Sequence, residues 1–258
     1  MILLINDDGI AAPGLRSLYH ALRTRCGQPV LAVAPAQQHS GQSHAITLDR
    51  GLTINSHVDG DFFGFSIDGT PADCLKLAVT VLCQQPPKIV VSGINDGPNV
   101  GRSLVYSGTV GAAMEAAVEG FAAIAASRDT GAGDPKEAAE WTADFVKQCL
   151  GRRDLRGTVL NVNLPATPSS EWQPACIVEH GRSGFDEKYQ PRRNRAGNIT
   201  WHLHGTRVEL EDEGITDAHL LAAGHVTVSL LRPDFNARTS NLAERLAERL
   251  DLTVISSA

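Results

Sequence analysis

The chain has 258 residues, 42% of them hydrophobic, which is enough to bury one large core, and its formal net charge of −6 excludes the broad attraction needed to coat a nucleic-acid polymer. A local cationic site for a single phosphate stays open. The five cysteines, Cys26, Cys74, Cys83, Cys149 and Cys176, are scattered and odd in number, so they fit neither a disulfide nor a zinc framework; with no apolar run of membrane-spanning length, a cytoplasmic protein without membrane contact is expected.

The apolar run Ile2-Leu3-Leu4-Ile5 reads as a short buried strand, and Asn6-Asp7-Asp8-Gly9 follows it directly. Pro13 then opens a helix whose inward face is Leu15, Leu18, Tyr19 and Leu22, and Val30 to Val33 is a second buried strand. Thr70-Pro71-Ala72-Asp73 combines a hydroxyl cap, a first-turn proline and an acid, the start of a helix with Leu75, Ala78, Val79 and Leu82 inward. Ile89 to Ser92 is the next strand. Ser107 precedes a helix with Val110, Ala113, Met114, Ala117 and Val118 on its apolar face, followed by a strand over Ala122 to Ala126. Asp134-Pro135 starts a helix ending near Leu150, and Val159 to Val162 is a further strand. Residues 166 to 205, rich in Arg, Pro, Gly, Ser and Asn, read as loops and hairpins, with Ile199 to Leu203 in two-residue alternation. Val226 to Leu231 returns as a strand, and a final helix capped by Ser240 repeats Leu242, Leu246 and Leu250.

Uniformly apolar short strands alternating with helices predict an α/β fold, with a mostly parallel sheet covered on both faces. A single domain over 1–258 is expected, its core about 1–165 and 226–231, with extensions about 166–225 and 232–258.

Ligands of such sheets collect at the carboxyl ends of the strands. That rule gathers Asp7 and Asp8, the segment Pro35 to Ser43, Gly93-Ile94-Asn95-Asp96-Gly97, and Ser107-Gly108-Thr109. Adjacent carboxylates at the mouth of a buried strand either cap an exposed turn or hold a cation between them. Two carboxylates, a hydroxyl such as Ser40 or Ser43 and the Asn95 amide suit magnesium or manganese better than zinc or calcium. His39 and His44 read as surface or supporting groups. Ser107-Gly108-Thr109 is either a plain helix cap or an anion site built from free amides and the positive end of the helix dipole. Arg102, Arg182, Arg192, Arg193 and Arg195 are candidates to assist an anionic substrate, although any one of them reads more simply as a solvated loop charge, and Tyr106 reads equally as a residue that stacks on a base or as a wall residue. The glycines Gly93, Gly97 and Gly101 form neither a P-loop nor a GxGxxG turn.

NDDGI at 6–10, the Ser40 loop ending in Ile46-Thr47, GTPADC at 69–74, SGINDGPNVG at 92–101, YSGTVGAAMEA at 106–116 and NVNLP at 161–165 together closely resemble the stationary-phase survival protein SurE family of metal-dependent nucleotidases. The resemblance is strong over about 1–165. In the C-terminal third, Thr200-Trp201-His202-Leu203 departs from the family's usual paired tyrosines. The resemblance implies a Rossmann-like core with a hairpin and a C-terminal arm exchanged in homodimers or homotetramers. It implies one divalent ion (Mg or Mn) per subunit, held by Asp7, Asp8, Ser40 and Asn95, with substrate phosphate on Asn95, Ser107, Gly108 and Thr109. It further implies removal of phosphate from nucleoside 5'- or 3'-monophosphates and hydrolysis of short polyphosphate. Asp7 and Asp8 are then the catalytic pair, Asp7 favoured as base.

Three rival readings differ in class. A response-regulator receiver also carries an acidic pair after its first strand, but needs a lone Asp after a middle strand, where this chain has Ser-Gly-Ile-Asn. A haloacid-dehalogenase-like phosphatase needs DxD, and here the acids are adjacent. A regulatory oligomer that lost turnover is opposed by the intact oxygen set.

Overall fold

The computed structural model describes residues 1–130, 134–208 and 215–234. The final helix expected after Ser240 lies outside the described residues.

The first strand, β1 (Ile2–Ile5), is wholly buried and pairs in parallel with β2 (Val30–Pro35) on one side and β5 (Ile89–Asp96) on the other. The parallel run continues through β6 (Ala123–Arg128) to β7 (Val159–Leu164). On the far side of β2 lie β4 (Phe62–Ile67), parallel to it, and β3 (Ile54–Asp59), antiparallel to β4. Beyond β7 come β11 (His225–Leu231), antiparallel, and the edge strand β8 (Gln173–Ile177). The sheet therefore has nine strands in the order β3-β4-β2-β1-β5-β6-β7-β11-β8, and β9 (Gly184–Arg193) with β10 (Ile199–Val208) forms a separate antiparallel hairpin.

Helices cover both faces, as the doubly apolar strands require. Helices α1 (Pro13–Cys26) and α5 (Pro135–Cys149) pack with Ile2, Leu4, Val91, Ile124 and Val162 on one face. Helices α2 (Pro71–Leu77) and α4 (Gly108–Val118) pack with Leu3, Ile5, Val90, Ala125 and Val159 on the other. The short α3 (Ser103–Tyr106) leads into α4, and α6 (Asp217–Ala222) precedes β11. The face of α4 is nearly all small: Ala112, Ala113, Ala116 and Ala117 are at most 4% exposed. Val118, expected on that face, is exposed instead, because it is the last residue of α4, where the helix emerges from its buried surroundings.

The β3–β4 hairpin, β8 and α6 lie outside the expected pattern. β3 and β8 are edge strands of mostly exposed residues and need no apolar run, β4 is an interior strand whose apolar run is broken by Gly64, and α6 is a helix of six residues, too short for a period to show. Gly60, at φ 59°, opens the two-residue β3–β4 turn, a position that favours glycine. The second difference is at β5, which continues past Ser92 to Asp96 with irregular pairing to β6 between Ser92 and Asn95. Gly93 permits this: its φ is 140°, and a Cβ there would run into the Ala126 carbonyl.

The sequence-predicted caps are present. Thr70 Oγ1 accepts from the Asp73 amide at 3.1 Å, and the Asp73 carboxylate accepts from the amides of Thr70 and Thr47 at 2.9 and 3.0 Å. Thr47 Oγ1 adds a bond of 2.7 Å to the same carboxylate. One buried acid thus caps α2 and ties down the end of the loop after β2.

Candidate active site

The turn after β1 is closed by Asn6, whose Oδ1 accepts from the Gly9 amide at 3.1 Å and whose Nδ2 donates to the Gly9 carbonyl at 3.0 Å. This fixes the two acids at the carboxyl edge of the sheet. Asp7 is 3% exposed; Asp8 is half-buried. Thr109 Oγ1 donates to Asp7 Oδ1, and the Thr109 amide also favours the ionised form, so the start of α4 is aimed at this carboxylate. Gly108 makes the approach possible: a Cβ there would lie 2.9 Å from Asp7 Cβ and 3.0 Å from its Oδ2.

Gln38 joins the second acid to the loop after β2. Its Nε2 donates to Asp8 Oδ1 at 3.2 Å and to Ser40 Oγ at 3.0 Å. The loop itself is pinned from behind, where the Ser43 amide donates to the Tyr106 carbonyl at 3.0 Å and Ser43 Oγ to the Val105 carbonyl at 2.6 Å. Ser43 is therefore committed to the backbone of α3, and Ser40 is the hydroxyl beside the acids. His44 bonds Glu115 Oε2 at 2.5 Å, while Lys76 holds the other oxygen of Glu115 at 2.5 Å. His39 bonds Gln42, and neither histidine joins the acidic pair.

At the end of β5, the Asp96 amide approaches Asp8 Oδ2 at 3.4 Å, bringing Asn95 to the same edge. Asn95 Nδ2 donates to the Gly97 carbonyl at 2.6 Å, which orients its amide. The following loop is held from below. The Asn99 amide donates to Asn163 Oδ1 at 2.7 Å, and the Asn99 carbonyl accepts from Asn161 and Asn163 at 2.9 and 3.0 Å. The two asparagines of the NVNLP motif thus serve as clamps on that loop.

Burial pushes the Asp7 carboxyl above the ordinary carboxylate range, with Asp8 adding to the rise and the Thr109 bonds opposing it. Asp8 is raised as well, first by burial and then by Asp96, against the bonds from the Asp96 amide and Gln38. Among the described residues neither carboxylate has a salt-bridge partner, while Arg128 pairs with Asp96 at 3.0 Å. Two raised, uncompensated acids beside a hydroxyl and an amide oxygen fit a hard divalent cation. Among the described residues no three His, Cys, Asp or Glu side chains gather as a metal-binding group, so the donors in question are these mixed oxygens.

The raised value of Asp7 has a stability consequence with a definite sign. Above its folded-state pKa the native protein carries the whole penalty of a buried ionised carboxylate, and the penalty fades as pH falls through that value toward the ordinary carboxylate range. In chelator, Asp7→Asn is expected to melt a few degrees above the wild type at pH 7.5, by roughly 2–4 °C for a domain of this size. The gap should shrink as the pH is lowered toward 4; a thermal melt series in which the gap is absent or grows on acidification would refute this account.

The remaining predicted groups separate. Ser107 Oγ accepts from the Val110 amide at 3.1 Å as a helix cap, and its carbonyl accepts from Gly111. Thr109 is fully buried, with its hydroxyl and its amide both directed at Asp7, so it supports that carboxylate from behind and presents no exposed atom to a phosphate. Arg102 and Arg182 line a groove of about 550 Å³ that also includes Ser107, Val105 and Met114. Arg192, Arg193 and Arg195 belong to the turn end of the β9–β10 hairpin, where Arg193 donates to the Gly197 carbonyl, and they do not join the cluster within this chain. Tyr106, the last residue of α3, is exposed.

Two contributors escaped the sequence reading. Gln38 carries no spacing signal, because its importance arises only when its loop folds over Asp8. Arg128 ends β6 at the same carboxyl edge and lines a cavity of about 390 Å³ with Asp8, Gln38 and Asp96. The strand-end rule, applied two residues beyond Ala126, would have found it.

Residues 2–187 match the family described as Survival protein SurE. The chain is 39% identical over 240 residues to a protein named 5'-nucleotidase SurE from Maridesulfovibrio salexigens, covering 92% of this chain and 94% of that one. It is 40% identical over 257 residues to a protein of the same name from Solidesulfovibrio magneticus, covering 97% and 99%. The fold is similar to the crystal structure of the SurE protein from Aquifex aeolicus, with a TM-score of 0.78 and 31% identity over 96% of this chain and 99% of that one. No helix among the described residues is long and apolar enough to cross a membrane. The chain belongs to the SurE family.

Proposed function

We propose that this chain is a 5'-nucleotidase, a metal-dependent phosphohydrolase that releases phosphate from nucleoside 5'-monophosphates, and also from 3'-monophosphates and short polyphosphate. The observation that carries this reading is the connected oxygen set at the sheet edge: Asp7 bonded to the start of α4, and Asp8 joined through Gln38 to Ser40. The names of the relatives from Maridesulfovibrio and Solidesulfovibrio support the same activity.

In this reading Asp7, Asp8, Ser40 and Asn95 hold one magnesium or manganese ion, which when bound neutralises charge on the phosphoryl oxygens and orients the attacking water. Ser107, capped through its oxygen, keeps its hydroxyl proton for a phosphoryl oxygen. The Gly108 amide and the Asn95 side chain oppose the charge that develops there, since the next three amides of α4 are engaged by Asp7 and by Ser107. Asp7 Oδ1 is taken by Thr109, so Oδ2, beside Gly108, receives the proton of the water. A base pushed upward by burial is better matched to that task near neutral pH than an ordinary aspartate. Asp8 serves chiefly as a ligand. Water attacks phosphorus directly as the ester P–O bond breaks, the proton collected by Asp7 passes to the departing nucleoside oxygen, and no phosphoenzyme forms on either aspartate.

The working unit is a homodimer or homotetramer in the cytoplasm, assembled through the hairpin; the C-terminal arm expected to share in this lies outside the described residues. Support comes from the exposed apolar side chains of the hairpin, Tyr189, Ile199, Trp201 and Leu203.

The test is phosphate release from nucleoside 5'- and 3'-monophosphates and short polyphosphate with manganese, magnesium or EDTA, for wild type and Asp8→Asn. Release that requires metal and falls about a hundredfold or more in the variant is expected. Equal release in EDTA, or no release from folded wild type with any metal, would refute the reading.

A further inference from the structure

Asp217 is fully buried at the start of α6, far along the chain from every residue of the site, and its carboxylate accepts three backbone bonds. Its Oδ2 accepts from the Gly101 amide at 3.0 Å; its Oδ1 accepts from the amides of Gly181 and Ala218 at 2.9 and 2.8 Å. Its own amide donates to the Glu179 carbonyl at 3.1 Å. Gly101 lies midway between Asn95 and Ser107, and Gly181 leads into the β9–β10 hairpin.

The two segments also meet directly. The Arg102 amide donates to the Ser183 carbonyl at 2.8 Å and Arg102 Nε to the Arg182 carbonyl at 2.9 Å. A Cβ on Gly101 would strike Ser183, and Gly101 has φ 54°. Val100, Ala218 and Leu221 form a small apolar cluster beneath the junction. The loop that spans the metal-side and phosphate-side halves of the site is therefore held at its middle: Asn161 and Asn163 grip Asn99, and two residues on, the Asp217 carboxylate takes the Gly101 amide beside the two Arg102 bonds to residues 182 and 183.

We propose that Asp217 is a positioning residue for the reaction proposed above, on which this inference rests: it fixes the path of residues 97–106 and so the placement of Asn95 and Ser107 relative to each other, without touching substrate. Asp217→Asn tests this with little change of shape. Asparagine has one acceptor oxygen; keeping it on Gly181 and Ala218 turns its NH₂ toward the Gly101 amide, so the site-side bond is lost and the hairpin-side bonds remain.

The expected result is a kcat about 10- to 100-fold lower at a temperature well below melting, since displacements of about 1 Å in a reacting site have effects of that size. KM for the nucleotide should move by less than about threefold, as for an interaction realised in the transition state. Val146→Ala, a core truncation in α5 away from the site, supplies a destabilised control whose kcat stays at the wild-type value. Amide hydrogen exchange gives a readout independent of turnover. Gly101 and Gly181 should exchange slowly in the wild type, and in Asp217→Asn protection should fall across 97–106. Fast exchange of either amide in the wild type overturns the clamp even if the variant fails to fold. Wild-type turnover with an unchanged kcat per folded molecule in Asp217→Asn overturns the positioning role, whereas slow amides in a wild type that releases no phosphate would sink the functional reading instead.

Discussion

Asp7→Asn is expected to abolish nearly all phosphate release, by about 10²–10⁴-fold, the range associated with loss of a positioned general base. The substitution is close to isosteric, and the asparagine oxygen can keep the bond from Thr109 Oγ1. What disappears is the negative charge and the proton-accepting Oδ2. Because the acid is raised by burial, the same change relieves the resting protein, so activity and metal-free stability should move in opposite directions. That pairing separates loss of chemistry from loss of fold. Steady-state kinetics on the nucleotide panel, read together with the melt in chelator, decide it. An Asp7→Asn protein retaining a tenth or more of wild-type turnover would end the assignment of Asp7 as base.

Gly108→Ala should also be severe, although alanine is normally welcome at the first position of a helix. No positive φ opposes the change, so any loss arises from contact. The added Cβ would lie 2.9 Å from Asp7 Cβ and 3.2 Å from Pro71 Cγ, both anchored close to the backbone and unable to swing aside. Overpacking of this kind costs about 1–3 kcal/mol. Turnover should fall by about 10- to 100-fold through displacement of Asp7 from Thr109. The effects of the two substitutions should not add: in an Asp7→Asn background, Gly108→Ala is expected to remove little further activity. Wild-type kcat in Gly108→Ala, or full additivity, would show that the close approach of α4 to Asp7 has no catalytic importance.

The legibility of the site in the sequence follows its chemistry. Asp7 and Asp8 were visible because a charged pair directly after Ile5 conflicts with the burial of β1, and such conflicts mark sites. The Thr70 and Asp134 caps were visible because their signals are local: the Asp134 side chain accepts from the Lys136 amide at 2.9 Å, and the Thr70–Asp73 box closes within one turn. Choosing between Ser40 and Ser43 was beyond local pattern, since it depends on which hydroxyl meets the carbonyl of Val105. Gln38 and Asp217 act through partners 30 or more positions away, in the Gln38–Asp8 and Asp217–Gly101 contacts, and one sequence carries no trace of such pairings, whereas Arg128, at the end of β6, lay within reach of the strand-end rule. Edge strands were missed for a different reason: β3 and β8 bury too little to need an apolar run.

The small-residue face of α4 bears on how this protein can change over time. Ala112, Ala113, Ala116 and Ala117 let the helix settle close to the sheet, and that closeness delivers Thr109 to Asp7. A side chain one methylene larger at any of these positions would lift or tilt the helix, and the lift would be felt at its first turn as well as in the core. Drift that most interiors absorb by repacking is therefore under functional selection here. Neutral paths for α4 run mainly through its exposed C-terminal end, at Val118, where a substitution does not move the helix against the sheet.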